Sequence, residues 1–276
     1  MWQDYVFGKQ TFRELSQTYG LDRRTVRKLF DAYIPPEKKH SPRPVHIVTD
    51  ATYFGLREEG KYWCVTVVRD PCEKENLVWM FSDTERLTIY VALRRKLEEL
   101  GYTILSVTAD GFSAIRSAFS DIPFQMCLVH MRRIVERGTT RNPQTEAGQA
   151  LLALTKTLHY TSKKRFTKWF TLYLQKYRDF IDEKTIHPLT GDWSWTHEKL
   201  RSATFSLNRL KPHLFTYTQN KNIPQTTNSL EGCFSHMKNI TTIHRGLSKQ
   251  QKQKVLTSIL HASTIAPAKP KLDEIL

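Results

Sequence analysis

Two stretches decide how this sequence reads: VHIVTDATYF (residues 45–54) and TILSVTAD (residues 103–110). Each is an apolar run rich in β-branched residues that carries one aspartate, Asp50 in the middle of the first and Asp110 at the end of the second. Such runs fit a pleated, buried surface, so both read as strands of one sheet. A carboxylate in that setting is costly unless it is paired or bound to a metal. Two of them, one inside a strand and one at a strand end, can lie side by side across a sheet. Convergent oxygen ligands of that kind suit Mg²⁺. Taken singly, a strand-end aspartate is more often a cap or turn residue; it is the pair in one sheet, on a basic chain with an N-terminal helical hairpin, that points to metal-dependent chemistry.

Working outward, KYWCVTVVRD from Lys61, with Gly60 in the turn before it, and NLVWMFS from Asn76 extend the first strand into a three-strand meander. Leu87, Tyr90, Leu93, Leu97 and Leu100 then recur at helical spacing, and Gly101 ends the run. After Asp110, residues 111–119 read as a short helix and PFQMCLVH (123–130) as a fifth strand ending near His130. The order β-β-β-α-β-α-β predicts an α/β fold, a mixed five-stranded sheet with helices on its faces. Its first part spans residues 45–135.

Residues 1–36 read as a small helical module. Thr11 caps a helix through Tyr19, and Glu14 completes a capping box. After a turn at Gly20-Leu21, Asp22 caps a second helix that runs to about Tyr33 and buries Val26, Leu29 and Phe30. Its other face carries Arg23, Arg24, Arg27 and Lys28, which is the pattern of a helix-turn-helix that binds DNA. A short helical hairpin with a solvated face is the plainer alternative. The proline-rich, charged stretch that follows reads as a linker over residues 37–44.

Downstream of the fifth strand the apolar spacing turns helical, and residues 131–180 hold eleven Lys/Arg against three acids. Residues 136–220 read as a helical insertion. Residues 221–262 then return to the core as helices, one of them holding Leu230, Phe234 and Met237, and residues 263–276 form a tail.

The formal charge of +15 over 276 residues favours a polyanionic partner. The 39% hydrophobic content and 14 phenylalanines exclude a disordered basic tail. Cys64, Cys72, Cys127 and Cys233 form no CxxC pair, which fits a reducing compartment and leaves no expectation of a zinc site. No apolar run is long enough to cross a bilayer, so neither a membrane nor a membrane partner is expected.

Four motifs together resemble the IS256/Mutator-type DDE transposases of the ribonuclease H-like superfamily. They are Asp50 in its strand followed by Thr52-Tyr53, Asp110-Gly111 after the fourth core strand, the C-x-x-H of Cys127 and His130, and the N-x-x-E of Asn228 and Glu231. His244-Arg245-Gly246-Leu247 is similar to an H-x-G-L stretch found after these. The resemblance implies a ribonuclease H-like fold in which Asp50, Asp110 and Glu231 hold Mg²⁺, with Mn²⁺ able to substitute. His130 would lie at the catalytic centre, supported by Cys127, Asn228 and His244. Arg132, Arg133, Lys238 and Arg245 are the phosphate-contact candidates there.

The implied partners are double-stranded DNA with terminal inverted repeats and a target DNA. The chain would act as a homodimer or higher oligomer on DNA, in the bacterial cytoplasm at the nucleoid. The implied reaction is cleavage at element ends and joining of the 3'-hydroxyl to the target by two-metal phosphoryl transfer. The alternatives are a catalytically silent DNA-binding or regulatory protein derived from a transposase, or a nuclease on the same fold.

Overall fold

The computed structural model describes residues 1–55 and 62–262; the expected Gly60 turn and the tail 263–276 lie outside the described residues. The chain opens with helices α1 (Trp2–Val6), α2 (Phe12–Tyr19) and α3 (Arg23–Ala32). Strands β1 (Pro44–Phe54), β2 (Trp63–Asp70) and β3 (Glu75–Ser82) follow, then α4 (Leu87–Glu99), β4 (Thr103–Ala109), α5 (Ser113–Ala118) and β5 (Phe124–Met126). A helical stretch comprises α6 (Leu128–Thr139), α7 (Glu146–Lys156), α8 (Lys163–Ile181) and α9 (Glu198–Leu210), with β6 (Lys184–Ile186) and β7 (Trp193–Trp195) between the last two. Helices α10 (Asn228–Ile243) and α11 (Lys249–Ala262) complete the described chain.

The first five strands form one mixed sheet in the order β3-β2-β1-β4-β5, flanked by helices, in the β-β-β-α-β-α-β sequence order expected; β6 and β7 form a separate ribbon. The chain divides into two compact units, one made of Met1–Arg43, Ala51–Thr103 and Asn228–Leu276, the other of Pro44–Asp50 and Ile104–Thr227.

In the first unit, the three N-terminal helices resemble a helix-turn-helix module. The capping box is present: Thr11 Oγ1 accepts from the Glu14 amide at 3.3 Å, and Glu14 Oε2 accepts from the Thr11 amide at 2.7 Å. Gly20 takes the left-handed conformation (φ 64°) that ends α2, and Asp22 caps α3 through the amides of Arg24 and Thr25. Val26 and Phe30 are buried as expected, but Leu29 is 49% exposed. The difference comes from α1, which the sequence reading lacked. Its Trp2 and Tyr5, with Phe12, surround Phe30 at centroid distances of 5.0, 4.6 and 5.2 Å. That cluster covers the Val26/Phe30 stripe and leaves Leu29 outside it.

The same unit secures the linker. Lys38 pairs with Glu75 at 2.6 Å, and Arg43 pairs with Asp70 at 2.8 Å and Glu75 at 2.7 Å. Strands β2 and β3 pair antiparallel with a bulge between Val68 and Arg69. Beyond the bulge, Arg69 Nη1 donates to Asn76 Oδ1 at 2.7 Å, and Asn76 Nδ2 donates to the Leu260 carbonyl at 3.0 Å. A buried side chain thus satisfies one of the carbonyls that the last turn of α11 leaves open.

In the second unit, β4 and β5 run parallel, with Val107, Thr108 and Ala109 opposite Phe124, Gln125 and Met126. Strand β5 stops four residues short of His130. The Cys127 amide still donates to Ala109 O at 2.7 Å, but the Leu128 amide donates to Gln225 O at 3.0 Å, and Met131 N to Cys127 O at 2.9 Å begins a helix. His130 is therefore a helical residue rather than a strand-end one. Helix α6 lies close against α9: a Cβ on Gly138 would sit 2.5 Å from Ala203 Cβ and 2.7 Å from the Lys199 carbonyl oxygen. Leu151, Leu152, Phe166, Phe170 and Leu207 form the buried centre of the helical stretch.

A candidate active site on the central strands

Asp50 follows Thr49, which is fully buried in β1, and is itself half-buried. Asp110 follows β4, is also half-buried, and accepts the Phe112 amide at 2.9 Å through Oδ1. That bond turns the chain away from the sheet directly after the carboxylate. The turn packs tightly, since a Cβ on Gly111 would lie 2.8 Å from Leu210 Cδ1. A partly buried carboxylate is costly unless it is paired, hydrogen-bonded or bound to a cation.

The third member of this neighbourhood is His130, one turn into α6. The Cys127 side chain that precedes the helix is fully buried. Its sulfur accepts from the Thr227 amide at 3.4 Å and lies 3.5 Å from Thr227 Oγ1, which also stands 3.5 Å from His130 Nδ1. Thr108 Oγ1 donates to Pro224 O at 2.8 Å, so the segment from Pro224 to Thr227 is stitched along the ends of β4 and β5. Thr227 had no role in the sequence reading; the only local hint is its place directly before the N-x-x-E motif.

The electrostatics tie the group together. His130 is raised above the ordinary histidine range, first by its hydrogen bond with Cys127, against the opposing effect of burial, and further by the charges of Cys127, Asp50 and Asp110. Burial pushes the Cys127 thiol up, but its hydrogen bond and charge interaction with His130 and its bond with Thr227 outweigh this and leave it lowered. Reactive cysteines are partly exposed; this one is sealed in and acts as an anchor for the Thr227 segment. Asp50, Asp110 and His130 thus share one electrostatic environment.

Glu231 is half-buried in the first turn of α10, in the first unit, with Asn228 exposed at the helix start. Arg23, Arg24, Arg27 and Lys28 are exposed or half-exposed on α3, in the same unit. Arg132 and Arg133 are exposed on α6, where Arg132 pairs with Glu136 at 2.7 Å. Lys238 and Arg245 are exposed, and Arg245 Nε donates to Thr242 O at 3.4 Å. His244 is only 4% exposed, stacks on Tyr5 at 3.9 Å, and a ring nitrogen bonds the Tyr5 carbonyl at 2.9 Å. Burial lowers its pKa, with the Tyr5 bond acting in the opposite sense.

Among the described residues, no group of three or more His, Cys, Asp or Glu is arranged to hold a metal ion. Mg²⁺, however, is commonly held by one or two carboxylates, with waters and substrate phosphates completing its shell. Asp50 and Asp110 are the carboxylates here that could serve such an ion.

Comparison with known proteins fits this geometry. The sequence model described as "Transposase IS66 family", a DDE-type transposase family, matches residues 47–241. That span contains Asp50, Asp110, Cys127, His130, Asn228 and Glu231 and leaves out the three N-terminal helices. The match is to a different group from the IS256/Mutator type that the motifs resembled; what the two share is the DDE transposase class. No curated protein matches the chain significantly. No helix of the described residues is long and apolar enough to cross a membrane. With well over half of its length matched, the chain belongs to the IS66 family of DDE-type transposases.

Proposed function

We propose that this chain cuts DNA at the ends of a mobile element and joins the freed 3'-hydroxyl to a target DNA. The observation that carries this reading is the pair of half-buried aspartates, Asp50 and Asp110, acting on one histidine within a transposase-family span. Asp50 and Asp110 would hold Mg²⁺, with Glu231 as a third carboxylate and Mn²⁺ able to replace it. When bound, the ion would supply Lewis acidity at the scissile phosphate.

The protein's own side chains would do the rest. His130 would contact the scissile phosphate, and the Cys127–Thr227 contacts would hold its ring in place. Arg132, Arg133, Lys238 and Arg245 would meet flanking phosphates. Arg23, Arg24, Arg27 and Lys28 would bind the terminal inverted repeats. Pairing two ends calls for a homodimer or larger assembly on DNA, acting at the bacterial nucleoid.

A second reading, a DNA-binding derivative without catalysis, is favoured by the exposed Arg23, Arg24, Arg27 and Lys28 on α3, which would bind DNA without any metal. Strand transfer with labelled inverted-repeat ends in Mg²⁺ or Mn²⁺ separates the two. Joined products that vanish in Asp110→Asn, with end binding retained, support the enzyme. Intact binding with neither cleavage nor joining in the wild-type protein refutes it.

A further inference from the structure

The second unit holds a cleft of about 540 Å³ where the chain enters β5, at the opposite end of that strand from Cys127. Arg116, Ser120, His213 and Gln219 contribute its polar lining, and Phe124 is among its apolar walls. None of these residues takes part in the site around Asp50 and Asp110.

Arg116, in the last turn of α5, is the unusual member. Its Nε is buried and has no hydrogen-bond partner among the described residues. An orphaned buried donor is rare in a native protein and marks either strain or a missing partner. His213 stands edge-on to Phe124 at 5.4 Å. Burial, and then the Arg116 charge, hold its pKa below the ordinary histidine range, so no second full positive charge is forced into the cleft at neutral pH. Thr216, also at the cleft, is occupied, donating to Phe124 O at 2.7 Å.

The guanidinium fork matches an oxyanion. A carboxylate would use the fork alone. A phosphate has further oxygens for Ser120, His213 and Gln219, and the chain's +15 charge draws phosphate-bearing partners. We propose that this cleft is an anion site that takes a phosphate group through Arg116, supplied either by a DNA phosphodiester or by a free phosphate. The proposal does not depend on the reaction assigned to Asp50 and Asp110.

The test uses the full chain, inorganic phosphate and a short DNA duplex, with Arg116→Gln and Ser120→Asp as variants. Ser120 is exposed, so Ser120→Asp places a repelling charge at the cleft without disturbing the core and decides the matter alone if Arg116→Gln fails to fold. If free phosphate is the source, phosphate raises the wild-type Tm above that in chloride of equal ionic strength. Both variants then lose the rise, and duplex affinity is unchanged. If a DNA phosphodiester is the source, both variants weaken duplex binding several-fold and reduce the slope of log K against log salt by about one. Phosphate stabilisation that survives in the folded variants overturns the proposal. So does a wild-type protein indifferent to phosphate whose duplex affinity neither variant changes.

Discussion

The clearest energetic prediction concerns Glu75, which joins the linker to the β2–β3 hairpin. Its Oε1 accepts from Lys38 Nζ at 2.6 Å and its Oε2 from Arg43 Nη2 at 2.7 Å. The two cations are not equally dependent on it. Arg43 also holds Asp70 at 2.8 Å, whereas Glu75 is the acidic partner of Lys38, whose side chain is only 9% exposed. In Glu75→Gln, Arg43 keeps a counter-charge and Lys38 does not. Stranding one member of a buried pair costs about 3–5 kcal/mol; the lower end, about 3 kcal/mol, applies because a glutamine still offers Lys38 an oxygen.

The reverse variant, Lys38→Met, leaves Glu75 paired with Arg43 and should cost under about 1 kcal/mol, since an apolar replacement also removes the buried charge. The double variant should then recover most of what Glu75→Gln loses. The pH dependence follows the same logic. Burial would raise the Glu75 carboxyl, but the bonds from Lys38 and Arg43 outweigh it and hold the group below the ordinary glutamate range. A depressed carboxylate contributes stability that is present above its unfolded pKa of about 4.3 and lost as pH falls through the folded value. Urea unfolding of the wild type and the three variants at pH 7 and pH 4 measures this. Equal losses for Glu75→Gln and Lys38→Met, or a double variant no better than Glu75→Gln, would refute the asymmetry.

Three further outcomes are expected. His244 has a lowered pKa, so its neutral form is the one the folded state holds; the stability it contributes is complete above about pH 6.5 and declines as pH falls below that value. His244→Phe keeps the stack on Tyr5 but should flatten the acid limb of Tm against pH, and an unchanged limb would show that His244 is not a source of it. Gly138→Ala forces a methyl onto Ala203 and the Lys199 carbonyl and should cost about 1–3 kcal/mol by overpacking, with the pairing Gly138→Ala/Ala203→Gly recovering part of it in urea titrations. Thr227→Val removes the hydroxyl near Cys127 and His130 but keeps the amide bond to sulfur, so its His130 ring resonances should shift in NMR while the fold, by circular dichroism, stays intact; unmoved resonances would detach Thr227 from the site.

The parts of this fold that were legible in the sequence are those whose information is local. Asp50 and Asp110 stand out because each interrupts or ends an apolar strand, and the capping box at Thr11 and Glu14 lies within four residues. Where the deciding interaction comes from far along the chain, local pattern misleads. PFQMCLVH is an unbroken apolar run that periodicity cannot divide between strand and helix. What divides it is the Leu128 amide bonding to Gln225, 97 residues away in the chain, and that bond moves His130 from a strand end to a helix. Helix α1 has five residues and no side-chain cap, so nothing near it announces a helix; it is held by aromatic packing against Phe30 and His244. The β6–β7 ribbon shows no strand-like alternation. Its Trp195 instead lies under Arg201 at 3.8 Å and near Lys184 at 5.1 Å, contacts that depend on α9 following the ribbon back. Glu231 is the limiting case: on an amphipathic helix it is one polar residue among several. Only its spacing from Asn228, read as a family motif, separates it from Ser235 or Lys238. A helical carboxylate carries no such local mark, so Glu231 enters the proposed chemistry through the motif alone, and Glu231→Gln in the strand-transfer assay tests the motif where Asp110→Asn tests the strand pattern.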